Sequence, residues 1–183
     1  MKAEQTNLQD CWIIEPDVFE DERGYFYEGF NTRNFKEATG FDFEVKQINQ
    51  SRSSRGVLRG LHFQHGENAQ AKLVSCLEGE VLDVAVDLRS DSLTYCKYSI
   101  VRLSAHNKKH LYIPKGMAHG FLVLTDHAKL MYQTDELYSR EHDSGIMYND
   151  PDINISWGVP EEEIILSEKD QNLPLLKQSK LDF

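Results

Sequence analysis

The segment EVLDVAVDLR constrains the fold more than any other stretch of this chain. Leu82, Val84, Val86 and Leu88 fall on one side of an extended backbone, and Asp83, Ala85 and Asp87 fall on the other. A period of two is the pattern of a half-buried β-strand and does not fit a helix, whose apolar positions recur every three or four residues. LEGEV just before it reads as a hairpin turn built on Gly79. Similar text recurs in EVKQINQS, GVLRGLHFQ, AKLVSCLEG, YCKYSIVRLS, KKHLYIPKG, HGFLVLT and AKLMYQTDELY. Short strands at roughly 8–12-residue spacing predict an antiparallel sandwich or barrel. CWIIEPDVF and GYFYEGF flank the turn-like EDERG. One helix is expected at NTRNFKEATG, with Asn31 as N-cap, Phe35 and Ala38 on one face, and Gly40 ending it. From Asn149 onward the tail reads as loops and short helical turns packed on the β core.

At 183 residues, 40% hydrophobic and 27% charged, the chain is expected to be one domain spanning residues 1–183 with a substantial core. Its 30 acidic against 20 basic residues give a net charge of −10. That balance argues against nucleic-acid binding, which needs a basic surface, and an anionic ligand requires basic groups to converge locally. Cys11, Cys76 and Cys96 are odd in number and form no C-x-x-C, which fits a reducing, cytoplasmic setting. The first residues lack the apolar stretch of a secretory signal, and no apolar run approaches the ~20 residues of a membrane helix.

The stretch GVLRGLHFQHGENAQAKLV gathers Arg59, His62, His65 and Lys72 among apolar residues. In a regular strand Arg59 and His62 face opposite ways. Both point inward only if Gly60 sits in a bulge, where glycine is commonly found. Gln47 and Asn49 share a face without such help, as do His119 and Phe121. PKGMAH resembles the second cupin motif, P-x-G-x-x-H, but a metal cupin also needs H-x-H earlier in the chain. Here His62 and Gln64 hold those two positions, and His65 has the wrong parity, so the metal ligand set is incomplete. His62 fits a general base, which needs a carboxylate to fix its tautomer, and a tyrosine such as Tyr132 or Tyr138 can act as the opposing acid. Arg23, Arg59, Lys72 and Lys169 stand apart from charge runs, as phosphate-binding cations do, although each taken singly also fits a surface ion pair.

The blocks DERGYFYEGF, QINQSRSSRGVLRGLHFQ, AKLVSCLEGEVLDVAVDLR, LYIPKGMAHGFLVL, GIMYNDPDINISW and LSEKD occur in an order that resembles the dTDP-4-dehydrorhamnose 3,5-epimerases. The resemblance implies a cupin-like double-stranded β-helix, or jelly roll, with a few short helices and no catalytic metal or cofactor. It implies a homodimer in which N-terminal strands cross between subunits. The implied substrate is dTDP-4-dehydro-6-deoxy-D-glucose, inverted at C3 and C5 to the L-rhamnose precursor. By position, His62 matches the base, Asp170 its carboxylate and Tyr132 the acid, and Tyr138 matches a tyrosine that influences which carbons invert. Lys72 is the candidate for stabilising the enolate oxygen. Arg23, Glu28, Gln47, Asn49, Arg59, His119 and Lys169 match substrate contacts. Asp143 falls where the family carries a glutamate, and Phe26 offers a face for thymine. Tyr148 in MYND stands at the usual tryptophan position. Three alternatives stay open: a C3-only epimerase or one acting on another nucleotide-linked 4-keto sugar, a metal-dependent cupin enzyme, and a non-catalytic sugar-nucleotide binder.

Overall fold

The computed structural model describes residues 1–181 and 183. Its first four strands are β1 (Lys2–Gln5), β2 (Trp12–Glu15), β3 (Val18–Asp21) and β4 (Gly24–Tyr27). Helix α1 (Thr32–Thr39) follows, then β5 (Gln47–Ser54), β6 (Leu58–Gln64), β7 (Lys72–Glu78) and β8 (Glu80–Asp87). Next come β9 (Tyr98–Ser104), β10 (His110–Ile113), β11 (Met117–Val123), β12 (His127–Thr134) and β13 (Asp143–Gly145). The one-turn helix α2 (Glu168–Gln171) lies in the tail. A six-stranded sheet runs β1-β2-β10-β7-β12-β5, a five-stranded sheet runs β13-β6-β11-β8-β9, and β3 and β4 form a separate hairpin. The strand pairs are antiparallel, giving the expected mainly β, cupin-like jelly roll with few short helices.

Helix α1 forms for the local reasons read from its sequence. The Asn31 side chain accepts the Arg33 and Asn34 backbone N–H groups at 3.0 and 3.1 Å, and Gly40 closes the helix at φ 82°. Phe35 then packs with Phe43 and Tyr112 on the outer face of the six-stranded sheet.

Two expectations fail at the strand that announced the fold. Gly79 does not close a hairpin, because β7 and β8 belong to different sheets. It turns a corner between them at φ 73°, so close to its neighbours that a Cβ would lie 2.1 Å from the His127 carbonyl oxygen. Nor is β8 half-buried. Val84, Val86 and Leu88 pack under the tail against Ile146, Ile153 and Trp157, while Val81 and Ala85 face the space between the sheets. Asp83 and Asp87 therefore point into the interior, and both are fully buried. Asp87 Oδ2 accepts from the Arg89 guanidinium at 2.8 Å and from the Ser92 and Thr94 hydroxyls at 2.6 Å each.

The space between the sheets has two parts. One is apolar, built from residues such as Val74, Leu111, Phe121 and Leu130. The other is lined by the polar side chains of the same strands.

Candidate active site

Strand β6 brings His62 inward by the bulge its sequence predicted. His119 pairs with His62 and Phe121 with Arg59, so the register slips by one residue between them. Gly60 sits in the slip at φ 129°, and a Cβ there would come within 2.6 Å of the Gly120 Cα. With the slip, Arg59 and His62 line the same cavity of 430 Å³, within the range of small-molecule sites. Strand β5 adds Gln47 and Asn49, β7 adds Lys72, β11 adds His119 and β12 adds Tyr132. Tyr138, Asp143 and Lys169 complete its wall.

Helix α2 places Asp170 behind His62. Ser167 caps this single turn by accepting the Asp170 backbone N–H, and its hydroxyl donates to Asp170 Oδ2 at 2.7 Å. His62 donates from Nε2 to Asp170 Oδ1 at 2.6 Å. Burial pushes the Asp170 carboxyl up, but the bonds and charge from His62, the Ser167 bond and a backbone bond at Gly60 outweigh it and hold Asp170 below the ordinary value. The carboxylate stays ionised and fixes Nε2 as the protonated nitrogen, which leaves Nδ1 as the proton acceptor.

Lys72 is buried and donates from Nζ to the His62 carbonyl at 3.2 Å. Burial lowers its pKa to about 8, against a smaller upward pull from Asp143 and Asp83. The ammonium is therefore charged at neutral pH, with little water to share its field. Burial raises the Tyr132 pKa although Arg59 opposes it, so the phenol keeps its proton. Arg59 donates to Ser53 Oγ at 3.0 Å, and Gln47 donates to Asn49 Oδ1 at 2.9 Å. Asp143 accepts from Lys169 at 2.6 Å and from the Tyr138 hydroxyl at 3.2 Å.

Three of the expected substrate contacts lie elsewhere in the chain. Arg23 and Phe26 line a separate hollow on the β3–β4 hairpin, where Arg23 pairs with Asp21. Glu28 accepts from Asn31 and Asn34 beside α1. His65 does not line the cavity and instead packs against the His142 ring. Among the described residues no three His, Cys, Asp or Glu side chains gather as a metal site.

Asp83, Ser167, Ser51, Ser53, Gln70, Phe63 and Phe121 were not singled out from the sequence as functional. His119 donates to Asp83 Oδ1 at 2.8 Å, and the other carboxylate oxygen has no protein partner among the described residues. Ser167 was legible in principle, since SEKD has the S-x-x-D form of a capping box.

The sequence pattern that defines the dTDP-4-dehydrorhamnose 3,5-epimerases matches residues 5–178. The chain belongs to this family. The dTDP-4-dehydrorhamnose 3,5-epimerase of Escherichia coli K12 is 51% identical over 174 residues, covering 94% of this chain and 93% of the relative. The crystal structure of the Elizabethkingia anophelis dTDP-4-dehydrorhamnose 3,5-epimerase superposes with a TM-score of 0.94 at 55% identity, covering 97% of each chain. The Legionella pneumophila dTDP-6-deoxy-D-glucose-3,5-epimerase, solved in complex with dTDP-4-keto-L-rhamnose, gives 0.93 at 43% identity, covering 98% of this chain and 94% of that one. As a dTDP-4-dehydrorhamnose 3,5-epimerase-type protein the chain is an isomerase, and its long matched blocks lie along the strands that build the cavity.

Proposed function

We propose that this chain converts dTDP-4-dehydro-6-deoxy-D-glucose to dTDP-4-dehydro-L-rhamnose by inverting C3 and C5 without a cofactor. The observation that carries this reading is the 2.6 Å His62–Asp170 bond, set in a cavity that Tyr132 also lines. The C4 ketone acidifies the hydrogens on both neighbouring carbons. His62 Nδ1 takes one of them, and its imidazolium is stabilised by Asp170. The electrons move to O4 as an enolate, and the Lys72 ammonium offsets the charge that develops there. Tyr132 returns a proton to the opposite face, and the carbon is inverted. Binding alone would not call for a proton acceptor and a phenol donor lining the same cavity.

Arg59 and Lys169 supply positive charge for the diphosphate, which resolves how a chain of net charge −10 holds an anion. Arg23, Phe26 and Glu28 act on this reading in the cavity of a second copy, within a homodimer. Support comes from the hairpin that carries two of them, where Phe19, Tyr25 and Phe26 are 66%, 59% and 69% exposed.

Purified protein incubated with the 4-keto sugar nucleotide tests the proposal. The expected product, followed by NMR, has the L-rhamno configuration, and its rate is unchanged by a chelator. A rate that collapses with the chelator returns the metal-dependent reading, and tight binding without conversion returns the non-catalytic one.

A further inference from the structure

Gln64 occupies the position where a metal cupin carries its second histidine, and here its side chain does something else. It is 4% exposed and lines the cavity at the end of β6. Its Nε2 donates to the Asn68 carbonyl at 2.7 Å and to the Leu137 carbonyl at 3.1 Å, and its Oε1 accepts the Ser139 backbone N–H at 2.7 Å. A primary amide offers two donors and an acceptor in one plane, and all are used. A histidine or a carboxylate cannot reproduce that set.

Two of these three bonds fall on either side of Tyr138. The backbone N–H of Tyr138 itself donates to Gln47 Oε1 at 2.9 Å. The segment 137–139 is thus held by one amide from each of the two large sheets. The Tyr138 side chain gains little from burial, being 56% exposed, and its hydroxyl makes a single 3.2 Å bond to Asp143. Its place in the cavity wall comes from the main chain, and Gln64 fixes that main chain.

We propose that Gln64 is a positioning residue that holds Tyr138 against the sugar and keeps the singly inverted intermediate bound until the second carbon is inverted. This rests on the function proposed above. Two inversions at different carbons within one binding event require the ring to stay enclosed between them. A wall that swings open releases the sugar after the first.

The test measures how deuterium from D₂O partitions between C3 and C5 of the sugar. Gln64→Met keeps the volume and loses all three bonds. It is expected to lower the ratio of doubly to singly labelled product on the order of tenfold, the scale of one to two net hydrogen bonds. First-carbon exchange, measured where the variant is folded, should change far less. Tyr138→Ala should lower the ratio similarly, and adding Gln64→Met to it should lower it no further, since both changes act through one side chain. An unchanged ratio in Gln64→Met, or additive effects in the double variant, overturns the proposal. If Gln64→Met does not fold, Gln64→Glu, which keeps the acceptor for Ser139, is read by the same ratio and the same two criteria. Wild-type protein that labels neither carbon overturns the proposed function itself. Wild-type labelling of both carbons with an unaltered Gln64→Met ratio overturns only the role of Gln64.

Discussion

At His62 a single hydrogen bond to Asp170 sets which ring nitrogen carries the proton. Asp170 holds Nε2–H, so on the proposed function Nδ1 carries the lone pair that takes the substrate's proton. Replacing His62 or Asp170 with asparagine is expected to cut kcat on the order of 10²–10⁴-fold, the usual worth of a positioned acid–base group. Steady-state turnover, with circular dichroism to confirm folding, checks this. Near-wild-type turnover in Asp170→Asn would remove the pair from the mechanism. Lys72 makes a prediction of opposite character, in pH. Its pKa is lowered to about 8, so its charge is complete below that value and is lost as pH rises through it. Turnover should fall on the alkaline side with a midpoint near 8, and Lys72→Met should abolish that limb while lowering kcat about 10²-fold. A midpoint at the ordinary lysine value would separate Lys72 from the oxyanion. Arg59, His62 and Lys72 were legible because ionisable groups stand out on apolar strands, while Gln47, Asn49 and Asp143 were reached through the ordered motifs. Asp83 was not. Alternation assigned it to a face, but what covers that face is set by distant sequence.

Elements carry the site as much as side chains do. The slip at Gly60 was legible because Arg59 and His62 could share a cavity only through a bulge, and a glycine lay between them. Gly60→Ala should destabilise the fold by ~2 kcal/mol or more, since φ 129° is strained for an L side chain and the Gly120 Cα stands in the way. That corresponds to a drop of about 5 °C or more in melting temperature, read by calorimetry. Turnover should fall even at temperatures where the variant is folded. An alanine variant with wild-type melting and turnover would show that the bulge does not aim His62. Gly79 shows the opposite limit of legibility. A hairpin turn and a corner between sheets use the same local signal, a glycine at positive φ. Only the long-range partners of β7 and β8 tell them apart, and no short window contains those.

For the whole molecule, the sandwich was predictable from regularly spaced short strands, and its cupin-like character from the ordered motifs. Arg23, Phe26 and Glu28 lie away from the cavity of their own chain, and the resemblance had implied N-terminal strands that cross between subunits. If they serve a neighbouring cavity, subunits carrying Arg23→Ala and subunits carrying His62→Asn, each inactive alone, should recover about a quarter of wild-type activity when refolded together in equal amounts. Half of the resulting dimers are mixed, and each of those has one intact site. No recovery would place Arg23 outside the partner's site.

On the proposed function, this cavity moves protons on and off two carbons beside a ketone. Deuterium wash-in from D₂O, followed by NMR on dTDP-4-dehydro-6-deoxy-D-glucose, measures that directly. Label is expected at both C3 and C5 with the wild-type protein, and at neither with His62→Asn. Folded wild-type protein that leaves both positions unlabelled, or a His62→Asn variant that labels them as fast as wild type, would contradict that function.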